Sequence, residues 1–178
     1  MENRGLVIVH TGDGKGKTTA ALGMAMRAWG NHLRVLILQF IKGSWKYGEL
    51  ESIKALASIN HQIEIRQGGL GFSQRGNGTE EEHRCAAAEL LQTAMDELQS
   101  NAWDMIILDE FNYAYSFGFI SLDELEQLLS VRPEKTHLIF TGRNAAQQLI
   151  DRADLVTEMH LVKHPFQQGI KAQKGIEF

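Results

Sequence analysis

The apolar run Leu6-Val7-Ile8-Val9 leads through His10 into Thr11-Gly12-Asp13-Gly14-Lys15-Gly16-Lys17-Thr18-Thr19. Apolar residues at helical spacing follow: Ala20, Ala21, Met24, Ala25 and Ala28. A strand, a glycine-rich turn and a helix in that order make a phosphate cradle. The glycines let successive backbone N–H groups point inward, and the helix N-terminus adds the positive end of its dipole. Lys17 supplies a point charge for the outer phosphates, and the Thr18 hydroxyl is placed to ligate Mg²⁺. The loop departs from the common G-x-x-x-x-G-K-[ST] pattern at its first position, which is Thr11, and carries glycines at Gly12 and Gly14 instead.

Beyond the loop, apolar runs alternate with helical patterns. Strands are expected at Leu6–Val9, Val35–Phe40, Gln62–Arg66, Met105–Leu108, His137–Thr141 and Leu155–Leu161. Helices are expected at Thr18–Trp29, Glu49–Ala57, Glu80–Leu98, Leu122–Leu129 and Ala145–Ile150, two of them opened by capping boxes, Thr79 with Glu82 and Ser121 with Glu124. Several strands are apolar on both faces, as in a parallel sheet covered by helices on each side. The expected fold is α/β, a mostly parallel open sheet that binds its ligand at the carboxyl ends of the strands. At 178 residues the chain reads as one domain.

Composition narrows the function classes. The net charge of −4 provides no global field for nucleic acid. The single cysteine, Cys85, excludes an intramolecular disulfide. No apolar run approaches a bilayer span and the N-terminus has no signal-peptide pattern, so a cytoplasmic protein without membrane contact is expected. Two segments lack periodicity: Gly68–Gly78, with five glycines, reads as a long mobile loop, and the tail after Lys163 has no clear period. Long aperiodic segments in a compact domain commonly carry function.

The run Met105–Leu108 ends in Asp109-Glu110. A carboxylate at the exit of a buried strand, beside a phosphate loop, is placed to hold Mg²⁺ directly or through water. Alone the pair would read as a solvated acidic turn. Glu110 fits a base or a support behind the metal, and the sequence leaves both open. Arg143, in Thr141-Gly142-Arg143, can neutralise phosphate oxygens by bidentate hydrogen bonds or stand on the surface at a turn. Arg27 reads as solvated, and His164, before Pro165, as structural or substrate-binding. Phe72, Trp45, Tyr113 and Tyr115 are core residues or the lining of a flat hydrophobic site. These residues define an Mg-ATP or Mg-GTP protein with a second roomy pocket. A phosphotransferase, a motor or switch NTPase, and an enzyme using ATP for other chemistry all stay open.

The blocks Thr11 to Ala21, Gln39-Phe40-Ile41-Lys42-Gly43, Gly69-Leu70-Gly71-Phe72, Leu108 to Ala114, Arg132-Pro133, Thr141-Gly142-Arg143, Ala153 to Met159 and Lys163-His164-Pro165-Phe166 together resemble the P-loop type of cob(I)alamin (corrinoid) adenosyltransferase. They run in order over nearly the whole chain. The resemblance implies a RecA-like P-loop fold, usually dimeric. It also implies transfer of the 5′-deoxyadenosyl group of ATP to the cobalt of a reduced corrinoid, with release of triphosphate, in adenosylcobalamin biosynthesis or salvage. ATP lies reversed in the loop of that family, which presents C5′ to the metal.

By the same resemblance, Gly12, Asp13, Gly14, Lys15, Gly16, Lys17, Thr18 and Thr19 bind the nucleotide, and Thr18, Asp109 and Glu110 surround Mg²⁺ or Mn²⁺. Lys17, Glu110 and Arg143 carry catalysis, and Arg27, Phe72, Asn112, Tyr113 and His164 lie towards nucleotide or corrinoid. An electron-donating reductase or flavoprotein and a second subunit are the implied partners. The chain departs from the pattern at three points. Gln74 stands where many members have a tryptophan that, with the loop phenylalanine, helps expel the lower axial ligand. Asp13 stands where asparagine is common. The sequence also starts at its first strand without the helical extension that some members fold over the site, so closure is expected from the tail or a partner subunit.

Overall fold

The computed structural model describes residues 4–43, 47–71 and 78–176. In chain order they form β1 (Val7–Thr11), α1 (Lys17–Gly30), β2 (Val35–Gln39), α2 (Gly48–Asn60), β3 (Ile63–Gln67) and α3 (Glu80–Gln99). There follow β4 (Met105–Asp109), α4 (Phe111–Ser116), α5 (Leu122–Ser130), β5 (His137–Thr141), α6 (Gln147–Arg152) and β6 (Leu155–Glu158), then a 3₁₀ turn at Pro165–Gln168. The strands form one sheet in the order β3-β2-β4-β5-β1-β6, and every pairing is parallel. This is the α/β architecture expected from the alternating pattern.

Each face of the sheet carries its own core. On one, Ala21, Ala25 and Ala28 of α1 and Ile53 of α2 pack against Ile8, Val35, Ile37, Ile107 and Ile139. On the other, α3 to α6 cover Val7, Val9, Leu36, Leu38, Ile106, Leu108, Leu138 and Phe140. The small alanines let α1 lie close to the sheet, which brings its N-terminus to the end of β1. The strands β1, β2 and β4 are buried at all five positions, which is why they read as continuous apolar runs. Both expected capping boxes form: Thr79 and Ser121 accept from the amides of Glu82 and Glu124, whose carboxylates accept in return.

Two elements differ from the sequence expectation. The last strand stops at Glu158 instead of Leu161 because, among the described residues, it pairs with β1 alone, which ends at Thr11 and leaves nothing to pair with beyond Met159. Helix α4 has no counterpart in the expectation. Its six residues span less than two turns, too few to show a period, and it starts from Glu110 in the left-handed region at φ 60°.

Candidate active site

A cavity of about 870 Å³ opens at the carboxyl ends of the strands. The loop after β1 (Asp13 to Thr19) forms its floor, and Lys42, Glu110 and Arg143 enter from the exits of β2, β4 and β5. Tyr47 and Glu49 at the start of α2, Tyr113 and Phe117 around α4, and Gly175 and Ile176 of the tail complete the wall. Cationic and aromatic side chains thus share one lining. Tyr113 and Phe117 stack at 4.2 Å between centroids, and the Lys42 ammonium lies 4.1 Å above the Tyr47 ring.

Lys17 Nζ donates to the carbonyls of Gly12 and Gly14 at 2.7 and 2.6 Å. Its burial pulls the ammonium below the usual lysine range, while Glu110 and Asp13 oppose that effect and Arg143 adds to it. One of the loop glycines departs from the role the sequence suggests. Gly14 N–H does not face the cradle; it donates to Met159 O at 2.6 Å. A Cβ on Gly12 or Gly14 would stand 2.5 or 2.7 Å from that same oxygen. The pattern Thr-Gly-Asp-Gly thus makes room for the chain leaving β6.

Asp109 is 1% exposed and sits below the cavity floor. Its Oδ1 accepts from Thr18 Oγ1 and Thr141 Oγ1, both at 2.7 Å, and its Oδ2 from Gln39 Nε2 at 3.1 Å. Because Thr18 donates its proton to Asp109, its oxygen lone pairs remain for a cation. Among the described residues no group of three or more His, Cys, Asp or Glu side chains could hold a metal ion. A hydroxyl with carboxylates behind it fits Mg²⁺ or Mn²⁺, hard ions that take phosphate and water oxygens for most of their ligands. Glu110 lines the cavity, and burial, with the Asp109 charge adding, raises its carboxyl above the usual carboxylate range against the pull of Lys42, Lys17 and Arg143.

Arg143 reaches across the mouth to Asp13, 3.4 Å from its carbonyl oxygen and 3.7 Å from Oδ1. Lys15, Gly16, Thr19 and Tyr113 also line the cavity. Three expected residues lie elsewhere. Arg27 is exposed in the last turn of α1, about 15 Å along the axis from Lys17. His164 caps the 3₁₀ turn, its Nδ1 accepting from Phe166 N–H at 3.1 Å. Asn112 is 1% exposed and donates to Gly142 O at 3.0 Å. Tyr115 packs against the core, while Phe72, Trp45 and Gln74 lie outside the described residues. Gln39, Thr141 and Met159 support the site; each lies in one of the sequence blocks given above, but nothing local to it announces its partner.

A buried aspartate bonded to the threonine of a Lys-Thr glycine loop, two strands away in a parallel sheet, is the arrangement of P-loop nucleotide-binding proteins. The fold is shared with the flagellar accessory protein FlaH from Methanocaldococcus jannaschii, with a TM-score of 0.57 at 13% identity over 86% of this chain and 70% of that one. The family ATP:corrinoid adenosyltransferase BtuR/CobO/CobP matches residues 3–178. Corrinoid adenosyltransferase of Escherichia coli (strain K12) is 38% identical over 178 residues, all of this chain and 88% of that protein. Corrinoid adenosyltransferase CobA of Salmonella typhimurium gives the same identity and coverage, and a Sinorhizobium corrinoid adenosyltransferase is 39% identical over 99% of this chain and 82% of its own length. The chain belongs to the ATP:corrinoid adenosyltransferase family.

Proposed function

We propose that this protein transfers the 5′-deoxyadenosyl group of ATP to the Co(I) centre of a reduced corrinoid, in adenosylcobalamin biosynthesis or salvage. Cobalt supplies the electron pair, the C5′–O bond breaks, and triphosphate leaves whole with the bonding pair on its oxygen. Catalysis of such a displacement rests on positioning and on neutralising the leaving group. The observation that supports this reading best is that Lys17, Thr18, Glu110 and Arg143 face one cavity whose lining also carries Tyr47, Tyr113 and Phe117.

In this proposal Lys17, Lys15 and Arg143 take the charge of the triphosphate. Thr18, braced by Asp109, holds Mg²⁺ or Mn²⁺ with Glu110 nearby, and the ion adds positive charge at the phosphate oxygens. Tyr47, Tyr113 and Phe117 offer flat surfaces to the organic parts of the substrates. The protein works as a cytoplasmic homodimer and receives its Co(I) substrate from a reductase or flavoprotein. Among the described residues no helix is long and apolar enough to cross a membrane.

Product analysis tests the reading. Protein, ATP, Mg²⁺ and chemically reduced cobalamin should yield triphosphate and a light-sensitive cobalt–carbon bond in equal amounts. ADP as the sole nucleotide product would make the protein an ordinary NTPase or kinase. Tight corrinoid binding without adenosylation at any reductant strength would make it a carrier, the outcome to which Gln74 draws attention.

A further inference from the structure

We infer that Asn112 is a positioning residue that, acting through Gly142, sets the Arg143 guanidinium over the phosphate loop without touching substrate itself. The inference rests on the proposed role of Arg143 at the leaving triphosphate. Asn112 belongs to the first turn of α4 and is buried outside the cavity wall, whereas the next residue, Tyr113, lines it. Its Nδ2 donates to Gly142 O at 3.0 Å. Gly142 has φ +125°, and a Cβ there would stand 3.0 Å from Asn112 Cβ and 3.2 Å from Tyr113 N. The turn after β5 is thus seated directly on α4.

One residue earlier, Thr141 Oγ1 accepts from Glu110 N–H at 3.0 Å. Two successive residues before Arg143 are therefore fixed by the start of α4, so Glu110 and Arg143 are held in one rigid corner.

The amide itself carries the argument. Asn112 Oδ1 is buried with no hydrogen-bond partner among the described residues, an arrangement that a side chain needed only for packing would avoid. Turning the amide round would set its oxygen against the Gly142 carbonyl oxygen, so the donor must face the turn. The group is there to hold that carbonyl, and the residue that follows the carbonyl is Arg143.

The test is a double-mutant cycle in turnover, with kcat, KM for ATP and melting temperature measured for wild type, Asn112→Ala, Arg143→Ala and the pair. Asn112→Ala should lower kcat by about tenfold to a hundredfold when Arg143 is present and change it little in the Arg143→Ala background. Asn112→Ser, whose hydroxyl can still donate, should recover part of the loss. Equal losses in both backgrounds would make Asn112 a scaffold residue and overturn the inference, as would failure of both the alanine and serine variants to fold. Wild-type turnover by Arg143→Ala would remove the role of Arg143 and the inference with it. An additive cycle on an active-site arginine that matters would remove the inference alone.

Discussion

The Gly14 amide donates to the Met159 carbonyl oxygen at 2.6 Å, so the segment that leaves the edge strand holds the phosphate loop from behind. A methyl group on Gly14 would stand 2.7 Å from that oxygen and 2.8 Å from His160 O, both backbone atoms with nowhere to go. Gly14→Ala should therefore destabilise the protein by about 1–3 kcal/mol and raise KM for ATP. Gly23, within α1 with open space around it, is the control: Gly23→Ala should add about 0.5–1 kcal/mol. Urea unfolding of the two variants reads both effects, and equal behaviour would contradict the Met159 clamp.

Lys17 bonds two loop carbonyls and lies in the cavity floor. Lys17→Ala should lower kcat by about a hundredfold or more, since charge is removed where the leaving group develops it. It should also weaken the binding of inorganic triphosphate measured calorimetrically. Near-normal turnover in that variant would show that the loop does not carry the chemistry.

Glu110 has a carboxyl raised above the ordinary range by burial, with the neighbouring Asp109 charge adding. The folded state then binds a proton more tightly than the unfolded chain does. The stability linked to this group is complete below the ordinary carboxylate range and is lost as pH rises through the folded-state value. Glu110→Gln, which keeps the shape and removes the charge, should melt higher than wild type at pH 8, with the gap closing towards pH 4. It should also lose turnover. A melting difference that is constant across this range would refute the assigned cause.

Thr141 is fully buried and makes two bonds at once, donating to Asp109 Oδ1 and accepting from Glu110 N–H. Thr141→Val leaves a buried amide and a carboxylate lone pair unmet, at a cost of about 1–3 kcal/mol. Because Asp109 in turn orients Thr18, the variant should also need more Mg²⁺ for half-maximal activity. Unchanged stability and Mg²⁺ dependence would show that water replaces the hydroxyl.

What the sequence made legible was whatever has a local period or spacing. The strand, loop and first helix follow from apolar spacing and glycines, and the boxes at Thr79 and Ser121 from residues three apart. Asp109 was readable because an apolar run stops there. The supports were not readable: Gln39 meets Asp109 from 70 positions away and Thr141 from 32, and neither spacing is a pattern. Asn112 lies inside a recognisable motif, but the motif does not announce that its amide turns to a backbone carbonyl. Gly12 and Gly14 read as part of a phosphate cradle, and only the fold shows that the Met159 carbonyl packs against both.

The strand β5 lies between β1, which feeds the phosphate loop, and β4, which ends in the acidic pair. Two rungs of hydrogen bonding, about 9.6 Å, separate those strands. That distance is set by the backbone pitch of the sheet, so no change of side chain in the loops can widen or narrow it. The sheet acts as a ruler, and Thr18 in the first turn of α1 is the span across it.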